Sequence, residues 1–178
     1  LGYEYLSKKK VEDAIDIFNL NSLANPESAA ALLSLSEGYL SKKDIYNAQK
    51  YYKRASAIPH DNSKVLKYIR LSLLLKDQKT SKRLLKDLIS NNAKKNNIRE
   101  FAINLLGYQL LNQGYKREAI VIFKTGSELY PESFNIFDSL GEAYMKNGQK
   151  ELAKRYYKKS LELNPKNRNA VEMLKKMK

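Results

Sequence analysis

Apolar residues recur along most of the chain at intervals of three and four positions, the spacing that places them on one face of an α-helix. Ala14, Ile15 and Phe18 follow this spacing, and residues 119–123 repeat it much later. Only four prolines and seven glycines occur in 178 residues, and most of them stand at turn positions between the apolar stretches. The pattern therefore predicts an all-helical protein.

The helical pattern repeats with a period of 34 residues toward the C-terminus. The later copy comprises Phe137, Leu140, Gly141, Tyr144, Gly148, Ala153, Tyr157 and Pro165. The earlier copy comprises Ile103, Leu106, Gly107, Leu110, Gly114, Ala119, Phe123 and Pro131. A fixed period of this length is typical of a solenoid built from helix pairs. The small residues let the two helices of a pair approach closely, and the large residues fill the groove between pairs.

Aligning the chain on these positions predicts one domain over 1–178, made of five repeats and a closing helix. The repeats are 1–28 (partial), 29–62, 63–99, 100–133 and 134–167, and the capping helix is 168–178. Repeat 63–99 is divergent, because it lacks the glycine and the proline and is 37 residues long.

A second and longer period of 105 residues relates the two ends of the chain. Leu-Gly-Tyr at 1–3 recurs at 106–108, and Pro-Glu-Ser at 26–28 recurs at 131–133. We infer duplication of a block of three helix pairs, in which the proline stops one helix and the serine caps the next.

The repeated residues resemble the tetratricopeptide repeat, whose pattern joins Leu-Gly and an aromatic residue to a later Ala, a second aromatic residue and a Pro. The resemblance covers all five repeats and points to the bacterial type. It implies a right-handed superhelix of about five antiparallel helix pairs plus the capping helix. It also implies a non-catalytic scaffold that binds a peptide or partner protein in its concave groove.

Residues 106–131 and 137–144 also resemble the tetratricopeptide tails of bacterial serine hydrolases. This resemblance implies an alternative, in which the chain is the accessory or oligomerisation region of a larger enzyme. The chain begins in the middle of a first helix, so we expect the native protein to extend upstream. Any targeting signal would lie there, and the sequence leaves open whether the protein is cytoplasmic or periplasmic.

Positive charge is concentrated in one part of the chain. The net charge is +14, and residues 63–99 carry eleven basic side chains against only Asp77 and Asp87. This excess favours an acidic protein or peptide partner, or forms a solvated face that keeps the solenoid soluble. Nucleic acid is not the expected partner, because Lys82, Arg83 and Lys86 are predicted on a second helix instead of along one groove.

The residue types that carry catalysis are sparse. The chain has no cysteine, and its one histidine, His60, follows a proline at a predicted turn. No phosphate-binding, nucleophile-elbow or zinc-protease motif occurs. We therefore expect no enzymatic activity, no metal and no cofactor. No apolar run approaches the length needed to span a bilayer.

The resemblance implies that the first helix of each pair lines the groove. The partner-binding residues expected there are Lys64, Lys67, Tyr68, Phe101, Asn104 and Tyr108. Cationic, amide and aromatic groups together suit an extended peptide with acidic and apolar side chains. The alternative is that these residues pack against neighbouring helices.

Overall fold

The computed structural model describes residues 1–58, 64–90 and 99–177. These residues form eleven α-helices, which confirms the predicted all-helical fold. The helices are α1 (Gly2–Ser7), α2 (Val11–Ala24), α3 (Ala29–Ser41), α4 (Ile45–Ala57), α5 (Val65–Leu74), α6 (Gln78–Ser90), α7 (Glu100–Asn112), α8 (Lys116–Leu129), α9 (Phe134–Lys146), α10 (Lys150–Leu163) and α11 (Arg168–Lys176). The residues Pro59, His60, Lys94, Lys95 and Lys178 lie outside the described part of the chain.

The helix boundaries follow the predicted repeats. Helices α3, α7 and α9 begin at Ala29, Glu100 and Phe134, where the repeats 29–62, 100–133 and 134–167 begin. Each is followed after a three-residue turn by a second helix that packs against it. Helix α11 occupies the predicted position of the capping helix and packs on α10.

The chain divides into two compact units, Leu1–Leu84 and Leu85–Lys178, which we call the N-terminal and C-terminal units. In the N-terminal unit, Ala14, Ile15, Phe18 and Leu35 form a buried cluster. In the C-terminal unit, the largest fully buried side chains come from both helices of each pair: Ile103, Leu110, Phe123, Ile136, Leu140 and Tyr157. Whether the two units act as one domain over 1–178 stays a prediction.

The turn between the helices of a pair needs one residue in the left-handed conformation. Gly114 and Gly148 supply it in the C-terminal unit, with φ of 84° and 82°. Lys9 and Lys43 stand 105 residues earlier and adopt the same conformation with φ of 60° and 66°. Because glycine has no Cβ, it adopts this conformation at lower cost than lysine.

The two copies of the duplicated block share their packing contacts. Tyr39 stacks on Tyr51 with ring centroids 5.4 Å apart, and Tyr144 stacks on Tyr156 at 5.2 Å. The two Pro-Glu-Ser serines cap α3 and α9 as predicted. Ser28 Oγ accepts from the Ala31 amide at 3.3 Å, and Ser133 Oγ accepts from the Ile136 amide at 3.2 Å.

Candidate peptide-binding groove

The first helices of the N-terminal unit are joined by a polar network. Tyr3 of α1 donates its hydroxyl proton to Glu37 Oε2 of α3 at 2.5 Å, and the same hydroxyl lies 3.0 Å from Ser34 Oγ. Lys67 of α5 donates to the Tyr3 hydroxyl and to Ser34 Oγ. The network therefore spans the first helices of three successive pairs.

Two cations neutralise Glu37 at the centre of this network. Lys67 Nζ lies 3.0 Å from Glu37 Oε2, and Arg70 Nη1 lies 2.6 Å from Glu37 Oε1. The Glu37 side chain is only 12% exposed, so its charge is held in a partly dehydrated site where a counterion matters. The N-terminal unit thus supplies the counterions of this carboxylate from its own helix α5.

The C-terminal unit repeats the tyrosine, the serine and the glutamate 105 residues later. Tyr108 of α7 donates to Glu142 Oε2 of α9 at 3.0 Å, and Ser139 Oγ donates to the Tyr108 hydroxyl at 3.2 Å. Burial raises the pKa of Tyr108 to about 12. The phenol therefore keeps its proton at neutral pH and stays a donor to Glu142.

The two copies differ in their cations. The residues 105 positions after Lys67 and Arg70 are Glu172 and Lys175, and both are exposed on α11. Glu142 is instead paired with Lys146 of its own helix, with Nζ to Oε1 at 3.0 Å.

Asp138 lies one turn before Glu142 on α9 and accepts hydrogen bonds from two asparagine side chains. Asn167 and Asn169 donate to its two carboxylate oxygens at 2.8 Å and 2.7 Å. Burial raises the pKa of Asp138 above its ordinary value, and the charge of Glu142 adds to this. Asp138 and Glu142 thus place two carboxylates one turn apart on α9 in a basic protein.

A hollow of about 540 Å³ adjoins Tyr108 in the C-terminal unit. It is lined by Arg99, Glu100, Phe101, Asn104, Leu105, Tyr108 and Asn135. Phe101 is 73% exposed and Leu105 is 48% exposed, so the hollow has an apolar wall open to solvent. Asn104 is only 7% exposed, and its Oδ1 atom has no hydrogen-bond partner among the described residues.

The six residues predicted from sequence fall in two units, three in each. Phe101, Asn104 and Tyr108 line the hollow together. Lys67 belongs to the network around Glu37, and Lys64 is exposed just before α5. These lysines belong to the N-terminal unit, and the hollow belongs to the C-terminal unit.

Tyr68 requires a correction, because it is a core residue and not a groove residue. It is 1% exposed, its ring packs edge-on against Tyr52, and its hydroxyl donates to the Ala55 carbonyl at 2.8 Å. The aromatic residue at this position fills the space between two helix pairs.

Sequence reasoning missed four residues of the hollow and the second cation on Glu37. The hollow residues are Arg99, Glu100, Leu105 and Asn135, and the cation is Arg70. Glu100 and Asn135 occupy neighbouring positions at the starts of α7 and α9, and the Asn135 amide donates to Glu100 Oε1 at 3.3 Å. Because both residues stand at the start of consecutive first helices, their contact could have been predicted from sequence.

Within residues 1–58, 64–90 and 99–177, no group of three or more His, Asp or Glu side chains is placed to hold a metal ion. In the same ranges, no helix has both the length and the apolar content to cross a bilayer.

Comparison with known proteins identifies the repeat. The family model of the tetratricopeptide repeat matches residues 139–167. The fold is similar to a crystal structure of the C-terminal part of a TPR repeat-containing protein from Cytophaga hutchinsonii, with 16% identity and a TM-score of 0.53. That match covers 99% of this chain and 68% of the other. The fold is also similar to crystal structures of MamA. One has 20% identity and a TM-score of 0.51 and covers 93% of this chain and 95% of that one. No curated protein sequence matches the chain.

Proposed function

We propose that this chain is a non-catalytic scaffold of tetratricopeptide repeats whose C-terminal unit binds an extended peptide segment of a partner protein. The segment lies along α7 and α9 and reaches the hollow. The observation that supports this most directly is the exposed Phe101, which forms an apolar wall of the hollow together with Leu105. An apolar wall with tyrosine and asparagine side chains beside it suits the apolar side chain and the polar backbone of an extended peptide.

The energetics favour a short anchored segment. An apolar side chain that covers Phe101 and Leu105 adds roughly 25 cal/mol for each Å² it removes from water. Aromatic residues at the centre of a contact commonly dominate binding, so Phe101 is the residue to change first.

Selection from a random library of linear twelve-residue peptides displayed on phage tests this function. The full chain is immobilised, and enrichment is compared for the native protein, Phe101→Ser and Asn104→Ala. The matched control is Tyr46→Ser, since Tyr46 is 78% exposed on the second helix α4. We expect enriched sequences with the native chain and the control, and their loss with both groove variants. Enrichment that survives Phe101→Ser and Asn104→Ala would place binding elsewhere.

An acidic partner remains a separate proposal for the basic segment. Lys79, Lys82, Arg83 and Lys86 are exposed and spaced three and four residues apart on α6, so they share one helix face. This arrangement supports attraction of acidic protein segments more than a base-reading groove. A gel shift with single-stranded RNA at low salt checks the alternative, and we expect no shift. The accessory role in a larger hydrolase stays a prediction that the sequence upstream of Leu1 decides.

A further inference from the structure

We propose that the peptide bound by the C-terminal unit carries a lysine or arginine whose side chain pairs with Glu142. This inference rests on the proposed function and adds the chemical class of the ligand. The recognised segment then contains a basic residue close to an apolar one.

The chain itself shows how this glutamate position receives cations. In the N-terminal unit, Glu37 accepts a hydrogen bond from the Tyr3 hydroxyl. Its carboxylate also forms salt bridges with Lys67 at 3.0 Å and Arg70 at 2.6 Å. Both cations come from the next first helix, α5. A lysine and an arginine therefore fit beside a Tyr–Ser–Glu group of this geometry.

In the C-terminal unit the same group lacks those cations. Tyr108 and Ser139 hold Glu142 as Tyr3 and Ser34 hold Glu37, but the residues in place of Lys67 and Arg70 are an exposed glutamate and an exposed lysine of α11. The partner of Glu142 is Lys146, four residues on in the same helix, and its side chain is 46% exposed. Such a pair contributes only about 0.3–0.5 kcal/mol, so a ligand cation displaces or joins it at little cost.

The hollow places apolar surface next to this carboxylate. Phe101 and Leu105 are exposed in its wall. Tyr108 lines the hollow and donates its hydroxyl proton to Glu142, so one side chain connects the hollow to the carboxylate. A peptide that covers the apolar wall therefore brings a neighbouring lysine or arginine close to Glu142.

The spacing along α7 limits the ligand further. Phe101 and Leu105 precede Tyr108 by seven and three residues, which at 1.5 Å per residue corresponds to about 5–10 Å. An extended peptide covers this in roughly two or three residues. The basic residue and the apolar residue should therefore be two or three positions apart.

The net charge of the whole chain opposes this ligand at long range, and the local contact must overcome it. The chain carries +14. Charges more than about 8 Å away are largely screened at physiological salt, whereas a contact at 3 Å is not. Binding should therefore be measured at about 0.15 M salt, where the local carboxylates dominate.

The phage selection described above, repeated with Glu142→Gln, separates this inference from the proposed function. We expect the native chain to enrich Lys or Arg two or three positions from a large apolar residue, and Glu142→Gln to lose the basic preference alone. Enriched peptides that depend on Phe101 but show no basic preference would overturn this inference and leave the proposed function standing. No enrichment above the unselected library would overturn both.

A synthetic copy of the strongest selected peptide gives the quantitative test. Its affinity is measured by fluorescence anisotropy with the basic residue intact and with norleucine in its place, against the native chain and Glu142→Gln. We expect either change alone to weaken binding about tenfold, and both together to weaken it no more than one does. Independent, multiplicative losses would contradict a direct pair.

Glu151→Gln is the matched control, because Glu151 also pairs with a lysine of its own helix, Lys154, but lies on the second helix α10. The Glu151→Gln variant should bind both the selected peptide and its norleucine version with the affinity of the native chain. Asp138→Asn is a second test variant, and we expect it to weaken the basic peptide less than Glu142→Gln does. Thermal unfolding of each variant by circular dichroism verifies that it is folded.

Discussion

At the scale of single residues, the glycine of each first helix sets how closely its partner helix packs. A Cβ at Gly107 would collide with the ring of Phe123, and a Cβ at Gly2 would collide with the ring of Phe18. The same pair of residues thus makes the same contact in both copies of the duplicated block. This contact could be predicted from sequence, because a small residue and a large one recur at a fixed separation.

Gly107→Ala should lower the free energy of unfolding by about 1–3 kcal/mol, the usual cost of overfilling a packed core. Combining it with Phe123→Leu should give a smaller loss than the sum of the two single changes, because leucine leaves room for the methyl group.

Gly114→Ala is the control. Gly114 has open space around it, so an alanine there loses stability only because the backbone φ is 84°. Urea unfolding should show no relief of Gly114→Ala by Phe123→Leu, and equal relief of both would contradict this account.

Two glutamates at equivalent positions, Glu37 and Glu142, differ in their ion-pair partners. Glu37 is a partly buried charge between two cations, whereas Glu142 has one exposed lysine of its own helix. The ion pairs of Glu37 could not be predicted from sequence, because residues some 30 positions apart meet only through the way successive helix pairs stack. The duplication did mark both glutamates as equivalent, which is what makes their difference informative.

Glu37→Gln should cost about 1–3 kcal/mol, less than for a fully buried pair because Lys67 and Arg70 keep some contact with water. Glu142→Gln should cost under about 0.5 kcal/mol. Both values come from urea unfolding of the full chain under the same conditions. A larger loss for Glu142→Gln would show that the chain already uses that carboxylate for its own stability, and would remove the reason to expect a ligand there.

At the scale of helices, most boundaries could be predicted from sequence, because they depend on local chemistry. Proline cannot continue a helix and serine caps the next one, so Pro131 and Ser133 fix where α9 begins. The sequence could not reveal that Tyr68 is buried, since a tyrosine on a first helix fits either a groove or the space between two pairs. Its environment depends on α4, whose Tyr52 and Ala55 it contacts.

Ser133→Ala should remove the cap of α9 and cost about 1 kcal/mol, which lowers the melting temperature by roughly 2–4 °C for a chain of this size. The matched control is Ser127→Ala, since the Ser127 hydroxyl only donates to a carbonyl of its own helix, that of Lys124. Amide hydrogen exchange should quicken in the first turn of α9 in Ser133→Ala alone. An unchanged melting temperature and exchange rate would show that the cap contributes nothing.

At the scale of the whole molecule, the repeat architecture could be predicted from sequence, because it depends on a regular spacing of residue types. The net charge of +14 favours an acidic partner. In the C-terminal unit, Asp138 and Glu142 lie one turn apart on α9, and Tyr108 connects Glu142 to the hollow. Net charge does not resolve such local contacts, so the acidic partner and the basic peptide segment both stay predictions.

The central claim is that the C-terminal unit binds a peptide on the face formed by α7 and α9. Titration of the strongest selected peptide into the ¹⁵N-labelled full chain, followed by amide chemical shifts, tests it most directly. We predict that the largest shifts fall between Arg99 and Tyr108 and between Asn135 and Glu142. Shifts concentrated on the second helices α8 and α10, with α7 unchanged, would contradict it.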